Sequence, residues 1–354
     1  MSRDTINNVV SRSMQLKQAH INMPSDHSTP EASISPNSNL QAVLQAGEFA
    51  VTCELGPPRG PDGQAVREKV KLLRGYVDAA SCTDNQGASL KMGNWGAALL
   101  CIQAGLEPIM QLSCRDRNRL AIQADVIAAT AFGVRNFMSI SGDSLVLGDP
   151  PMAKPVFDLQ GIQLVRLLKR LRDEGITGAG DPIEGDFNFF IGGAANPFAP
   201  PYGWRPLRLL KKAEAGQQFA LTQMIFNVDR FREWMSYVRD EGLDDRVHII
   251  AGVGPLKSAR MAEFMKFKIA GMEVPDGVIE RMRTAEKPRR EGVNICLEII
   301  EQVRDIKGVH GVHIMAIDWE QIVPRIVERA GLITPRPVPN RSFSLTPNSS
   351  PAAV

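Results

Sequence analysis

The chain has 354 residues, 41 of them basic and 39 acidic, and a formal charge of +2, a balance that excludes the basic footprint of a general nucleic-acid binder. No apolar run is long enough to span a bilayer or to form the core of a secretory signal. The five cysteines, Cys53, Cys82, Cys101, Cys114 and Cys296, are odd in number and far apart, which argues against a disulfide scaffold or a metal finger and suits a reduced, soluble, cytoplasmic protein.

Residues 1–45 carry Asn, Ser, Pro and His without sustained periodicity, which predicts a disordered extension. Arg3, Arg12 and Lys17 hint at an organellar presequence, but Asp4 and weak amphipathicity favour a flexible extension. Eight short apolar, β-rich runs follow, at 49–54, 77–83, 108–114, 136–141, 187–193, 219–226, 247–252 and 311–316. Each gives way to helical spacing, as in Leu164, Leu167, Leu168 and Leu171, or Phe231, Trp234, Met235 and Val238. Additional helix is expected over 274–308, before the eighth strand. Residues 334–354, with Pro335, Pro337 and Pro339, predict a second disordered tail. Near-continuous apolar strands alternating with helices predict an α/β fold, a closed (β/α)8 TIM barrel forming a single domain over 46–333. An open doubly wound sheet is the competing answer, but no Gly-x-Gly-x-x-Gly follows the first strand.

A parallel barrel gathers its chemistry where strands run into the loops that follow them. The polar residues at those points are Glu54, Thr83, Asp84, Asn85, Gln111, Ser113, Asp143, Asn196, Gln223 and Asp318, with Trp319 beside the last. His20 and His27 fall in the tail, and His248, His310 and His313 precede or begin strands, which puts them at the opposite rim. Acid or base work therefore falls to carboxylates, with Glu54 and Asp143 best placed, although loop carboxylates serve equally as helix caps. If Glu54, Thr83 and Ser113 face the barrel interior, strand alternation turns Cys53, Cys82 and Cys114 toward the helices, predicting inert buried thiols and no metal site. After Asn196, Pro197 and Pro200, the cations Arg205, Arg208, Lys211 and Lys212 lie close to one helical face near the rim, where they either meet a pyrophosphate or form a solvated face. Met261, Phe264 and Met265 either line an apolar slot for an aromatic ligand or pack their helix on the barrel.

Several segments carry a resemblance: Val51-Thr-Cys-Glu-Leu-Gly-Pro-Pro-Arg59, Thr83-Asp-Asn-Gln-Gly-Ala88, Leu112-Ser-Cys-Arg-Asp-Arg-Asn118, Ser141-Gly-Asp143, Ala153-Lys-Pro-Val-Phe-Asp158, Gly193-Ala-Ala-Asn-Pro197 and Thr222-Gln223. In that order and on successive barrel strands, they make residues 46–333 resemble the methylenetetrahydrofolate reductase family. The resemblance implies FAD across the barrel mouth and hydride transfer from NADH or NADPH to 5,10-methylenetetrahydrofolate, giving 5-methyltetrahydrofolate for one-carbon and methionine metabolism. It implies Glu54 as general acid, Asp143 beside flavin and folate, and Gln223 against the folate ring or nicotinamide. Met261, Met265, Asp318 and Trp319 complete the expected substrate contacts. Thr83, Gly142, Lys211 and Lys212 match flavin-binding positions, and Gln111, Ser141, Asn196, Arg205 and Arg208 are expected in the same site. The chain departs from bacterial members at Gln111, Ser141 and Asn196, which stand where they have His, Arg and Tyr. Arg205 stands for an acid, and Asp318 and Trp319 for an Asn-Arg-like pair.

Expected partners are the folate, the nicotinamide and further copies of this chain, with neither nucleic acid nor a membrane. Two rival readings stand beside this one. The same chemistry run in reverse would oxidise methyltetrahydrofolate in one-carbon catabolism, with an electron-transfer or accessory protein subunit in place of nicotinamide. A catalytically silent folate-binding barrel would have no physical need to keep Glu54, Asp143 and Gln223 together.

Overall fold

A strand covered on both faces must be apolar on both, and eight such strands in sequence close here into a barrel in which each pairs in parallel with its chain neighbours and the eighth with the first. The computed structural model describes residues 37–149 and 152–333. The strands are β1 Ala50–Leu55, β2 Ala79–Cys82, β3 Pro108–Ser113, β4 Asn136–Ile140, β5 Phe190–Ala195, β6 Phe219–Thr222, β7 His248–Val253 and β8 Val309–Ile314. Each falls on its expected run. The helices are α1 Asn39–Gln45, α2 Gly63–Leu73, α3 Asn94–Gln103, α4 Arg119–Ala131, α5 Gly161–Lys169, α6 Trp204–Glu214, α7 Val228–Asp240, α8 Ala259–Lys268, α9 Asp276–Thr284, α10 Pro288–Arg304 and α11 Val323–Arg329. The pair α9 and α10 is the additional helix expected before the eighth strand. No described helix is long and apolar enough to cross a membrane.

Two cores follow from strand alternation. Ala50, Ala79, Ile109, Met138, Phe190, Phe219, Leu221 and Ile250 fill the inside, with Phe190 stacked on Phe219 at 4.8 Å. Gly192 makes that stack possible, because a Cβ there would lie 2.2 Å from the Phe219 ring. The larger core lies between barrel and helices and takes in all five cysteines. These are buried and unpaired, as the alternation predicts for Cys53, Cys82 and Cys114, and Cys82 Sγ lies 3.7 Å from Cys101 Sγ. Burial pushes the Cys296 thiol up to about 12. No cluster of His, Cys, Asp and Glu able to hold a metal occurs among the described residues.

In the fold itself, the structure corrects the sequence reading at two places. The extension expected to run through residue 45 gives way at Ser38, whose Oγ accepts from Gln41 N at 2.9 Å and caps α1. A helix of seven residues is too short to persist alone, but Leu40, Val43 and Leu44 join the interior core. The carboxylate of Glu107 also accepts from the backbone of Asn39 at 2.6 Å and Leu40 at 3.0 Å. The helix thus plugs the N-terminal end of the barrel. Its spacing of i, i+3 and i+4 was the available signal. The tail readings for 1–36 and 334–354 lie outside the described residues.

His313 is the second correction. It sits within β8 rather than at the opposite rim, with Thr52 Oγ1 2.9 Å from its Nδ1. Burial lowers it to about 3, so it stays neutral inside the barrel. His248 and His310 do lie at or beside strand starts, edge to face at 5.0 Å.

Candidate active site

Strand β1 delivers Glu54 to the C-terminal rim, pointing inward, while Leu55 beside it packs into the outer core. Glu54 is half-buried. Its two carboxylate oxygens lie 3.2 and 3.4 Å from Gln86 Nε2, on the loop after β2. Burial raises its proton affinity most; the hydrogen bond from Gln86 opposes, and the charges of Glu320, Asp143 and Asp318 add to the rise. The result is a carboxyl at about 7, able to be present as an acid at neutral pH.

The wall on one side of Glu54 is built by loops that brace one another. Asp143 follows Gly142, whose φ of +89° and close approach to β3 require glycine, since a Cβ there would lie 2.4 Å from Ser113 Oγ. Asp143 Oδ2 accepts from Gly87 N at 2.8 Å, and its carbonyl accepts from Arg115 Nη1 at 3.1 Å. Arg115 is 1% exposed and also donates to Asn85 O at 3.2 Å. Asp84 is buried, accepts from Ser113 N at 2.9 Å and pairs with Arg117. The Leu112–Asn118 segment therefore works as a brace that holds the loops after β2 and β4. Sequence reasoning gave Arg115, Arg117 and Gln86 no role, because their partners lie on other loops.

Around the rim, at the ends of β4 and β5, Ser139, Ser141, Asn196, Arg205, Arg208 and Lys212 line one cavity of about 210 Å³. No carboxylate lines it. Lys212 is buried and donates to Ala194 O. Burial, reinforced by Arg208, lowers it to about 8. Arg205 Nη2 donates to Pro200 O at 2.9 Å, and its Nε to Ala199 O. Arg208 makes no ion pair or hydrogen bond among the described residues, which leaves its donors for a ligand. The donor set suits the diphosphate of a dinucleotide: concentrated positive charge, hydroxyls and no competing anion. Lys211 is not part of it; its Nζ lies 5.1 Å over the Trp204 ring, away from the cavity.

The remaining expected site residues are scattered. Gln111 points into the barrel and donates to Ser81 Oγ at 3.0 Å. Thr83 is buried at the end of β2. Neither lines the cavity. Asn196 does, with its Oδ1 taken by Phe198 N at 2.9 Å. Gln223 stands at the end of β6, with its Oε1 accepting from Met224 N at 3.0 Å. Asp318 is exposed, and Trp319 is half-buried with the Arg289 guanidinium 5.9 Å from its ring. Met261 is partly buried, its sulfur accepting from Lys257 N at 3.5 Å. Met265 is buried in the outer core, so for it the slot reading is corrected to helix packing: its position on α8 turns it toward the barrel wall.

A family model described as methylenetetrahydrofolate reductase matches residues 39–331. Methylenetetrahydrofolate reductase 2 of Schizosaccharomyces pombe is 26% identical over 71% of this chain and 40% of its own length. The 5,10-methylenetetrahydrofolate reductase of Salmonella typhimurium is 24% identical over 84% of this chain and 95% of its own length. The chain thus spans well under half of the fission-yeast relative and nearly all of the bacterial one. A solved structure, described as an uncharacterized protein from Clostridium thermocellum that binds two copies of 5-methyl-5,6,7,8-tetrahydrofolic acid, superposes with a TM-score of 0.59 at 14% identity. It covers 83% of this chain and 100% of that one, a likeness of fold.

Proposed function

The chain belongs to the methylenetetrahydrofolate reductase family, and from that premise we propose that it reduces 5,10-methylenetetrahydrofolate to 5-methyltetrahydrofolate. In this reading FAD lies at the barrel mouth and NADH or NADPH supplies the electrons. The observation that carries the reading is Glu54, a rim carboxyl with a proton affinity at about 7.

The chemistry asks for such a group. A methylene held between two nitrogens opens to an iminium ion before it accepts hydride, and the nitrogen that leaves needs a proton. Glu54 is placed to give that proton, and Gln86 holds it while it does so. The opening leaves a cation on the folate, which the negative charge of Asp143 stabilises. Asp143 is held for this by Gly87 N, so the carboxylate does not have to reorganise. FAD, when bound, supplies the hydride relay that no side chain can. Arg205, Arg208 and Lys212 would hold its diphosphate, with Ser139 and Ser141 as further donors. A reduced folate is the class of ligand that the Clostridium thermocellum neighbour binds. The reading sets the enzyme in the cytoplasm, a reducing compartment that suits its five free thiols, and as an assembly of identical copies.

The test is anaerobic. Purified protein is mixed with FAD, then with NADH or NADPH, then with methylenetetrahydrofolate, while the flavin absorption band is followed. Uptake, bleaching by one nicotinamide and recovery with formation of methyltetrahydrofolate are expected. Failure to take up FAD removes the cofactor from the reading, and recovery without methyltetrahydrofolate removes the reaction.

A further inference from the structure

The residue after the β1 terminus is held by a lysine of α2 that is itself paired with a distant part of the chain. Lys69 Nζ, on α2, donates to Gly56 O at 2.9 Å and pairs with the carboxylate of Glu320, in the segment between β8 and α11. Glu320 is 4% exposed. A Cβ at Gly56 would lie 3.8 Å from Glu320 Oε1. Gly56 is two residues beyond Glu54, and the only ion pair that Glu320 makes among the described residues is with Lys69. Nothing in the reaction as proposed uses this pair. An ion pair that takes a carboxylate out of water contributes little to stability over an apolar pair of the same shape, so its presence near Glu54 asks for another reason.

We propose that Lys69 and Glu320 are positioning residues for Glu54: one ion pair, its carboxylate buried and its ammonium half-buried, pins the turn that ends β1 and governs the protonation of the carboxyl beside it. The inference rests on the reading of Glu54 as the acid of folate reduction. Gln86, from the loop after β2, is hydrogen-bonded to Glu54, and the charges that act on it are those of Asp143 from the loop after β4 and of Asp318 and Glu320 from the segment after β8. Of these, only Glu320 is both buried and paired with a cation, so its effect on Glu54 is adjustable from either end. Loss of its charge makes Glu54 a stronger acid. Loss of the Lys69 charge leaves Glu320 uncompensated and makes Glu54 a weaker one.

The two substitutions therefore act in opposite directions, which a merely structural role would not produce. The folate step needs protonated Glu54, so its rate falls as pH rises through the Glu54 titration. Stopped-flow measurement of that step against pH should place the falling limb of Glu320→Gln about one unit below that of the parent protein and the limb of Lys69→Met above that of the parent. Lys69→Arg should keep the limb where it was, and the double variant Lys69→Met with Glu320→Gln should return it toward the parent position. A second reading, independent of turnover, is the infrared carboxyl band of Glu54 in the protein without substrate, identified by its loss in Glu54→Gln. It should titrate in the same order. Limbs and bands that move in the same direction in Glu320→Gln and Lys69→Met, or that stay at the parent position in either, overturn the proposal. Should Lys69→Met fail to fold, the isosteric Glu320→Gln decides alone, and an unmoved limb and band overturn it. If the parent protein makes no methyltetrahydrofolate, the functional reading fails while the carboxyl band still tests the pair.

Discussion

The amide nitrogen of Gln86 lies within 3.2 and 3.4 Å of the two carboxylate oxygens of Glu54. The rim carboxyl that titrates near neutrality is thus held by the loop of the neighbouring strand, not by its own. Burial raises its proton affinity and Gln86 restrains the rise, which leaves the group at about 7.

Glu54→Gln keeps size and hydrogen bonding but has no acidic proton to give. Bleaching of the flavin band by nicotinamide should survive, while reoxidation by methylenetetrahydrofolate should slow by at least about 100-fold, the lower range for general acid catalysis. Stopped-flow measurement of each half-reaction decides this. Equal small losses in both would make Glu54 a residue that only positions the folate.

The pH profile of the folate step has a defined sign. Glu54 acts as an acid, so the parent rate should fall as pH rises through about 7. The nicotinamide step should lack that limb. A folate step flat between acid and mildly alkaline pH would place the proton donor elsewhere.

Asp143→Asn removes a charge but keeps an oxygen that can accept from Gly87 N. The folate step should slow by about 10-fold or more, one lost charge-assisted contact in the transition state, with FAD affinity nearly unchanged. Loss of flavin with an intact folate rate would recast Asp143 as a cofactor anchor.

Arg208→Ala should weaken FAD binding by about tenfold, the loss of one charge-assisted contact worth about 1.4 kcal/mol. Lys211→Ala should leave binding unchanged, because that side chain lies over Trp204. Flavin fluorescence during titration of the flavin-free protein measures both, and equal losses would mean the cavity does not hold the diphosphate.

Leu40→Ala tests the plug. Leu40 is fully buried among the interior residues, so truncation should cost about 2–5 kcal/mol in denaturant unfolding. An unchanged midpoint would mean that α1 does not close the barrel.

The barrel was legible because its signal is local. Each strand is covered on both faces, so it reads as an apolar run whatever lies next to it, and the alternation along it correctly turned Cys53, Cys82 and Cys114 outward and Glu54 inward. The plug was less legible, since Leu40, Val43 and Leu44 make too short a pattern to stand out from a polar extension, and Glu107, which accepts from the first turn of the helix, lies 67 residues from Leu40. His313 was misplaced for a related reason: β8 begins two residues earlier than its apolar run, which moves the ring from the strand's start to its interior.

Sequence by itself determined the fold class, the strand order and the rim at which the candidate site gathers, because periodicity and strand-end position depend only on neighbouring residues. Only the tertiary structure decided which charges meet there. Lys211 and Lys212 are adjacent in the chain, yet successive helix positions point in different directions, and packing of α6 sends one to Trp204 and the other into the cavity. Lys69 and Glu320 are 251 residues apart. They meet because β8 closes against β1, and closure of a barrel is a property of all eight strands that no single stretch of sequence carries.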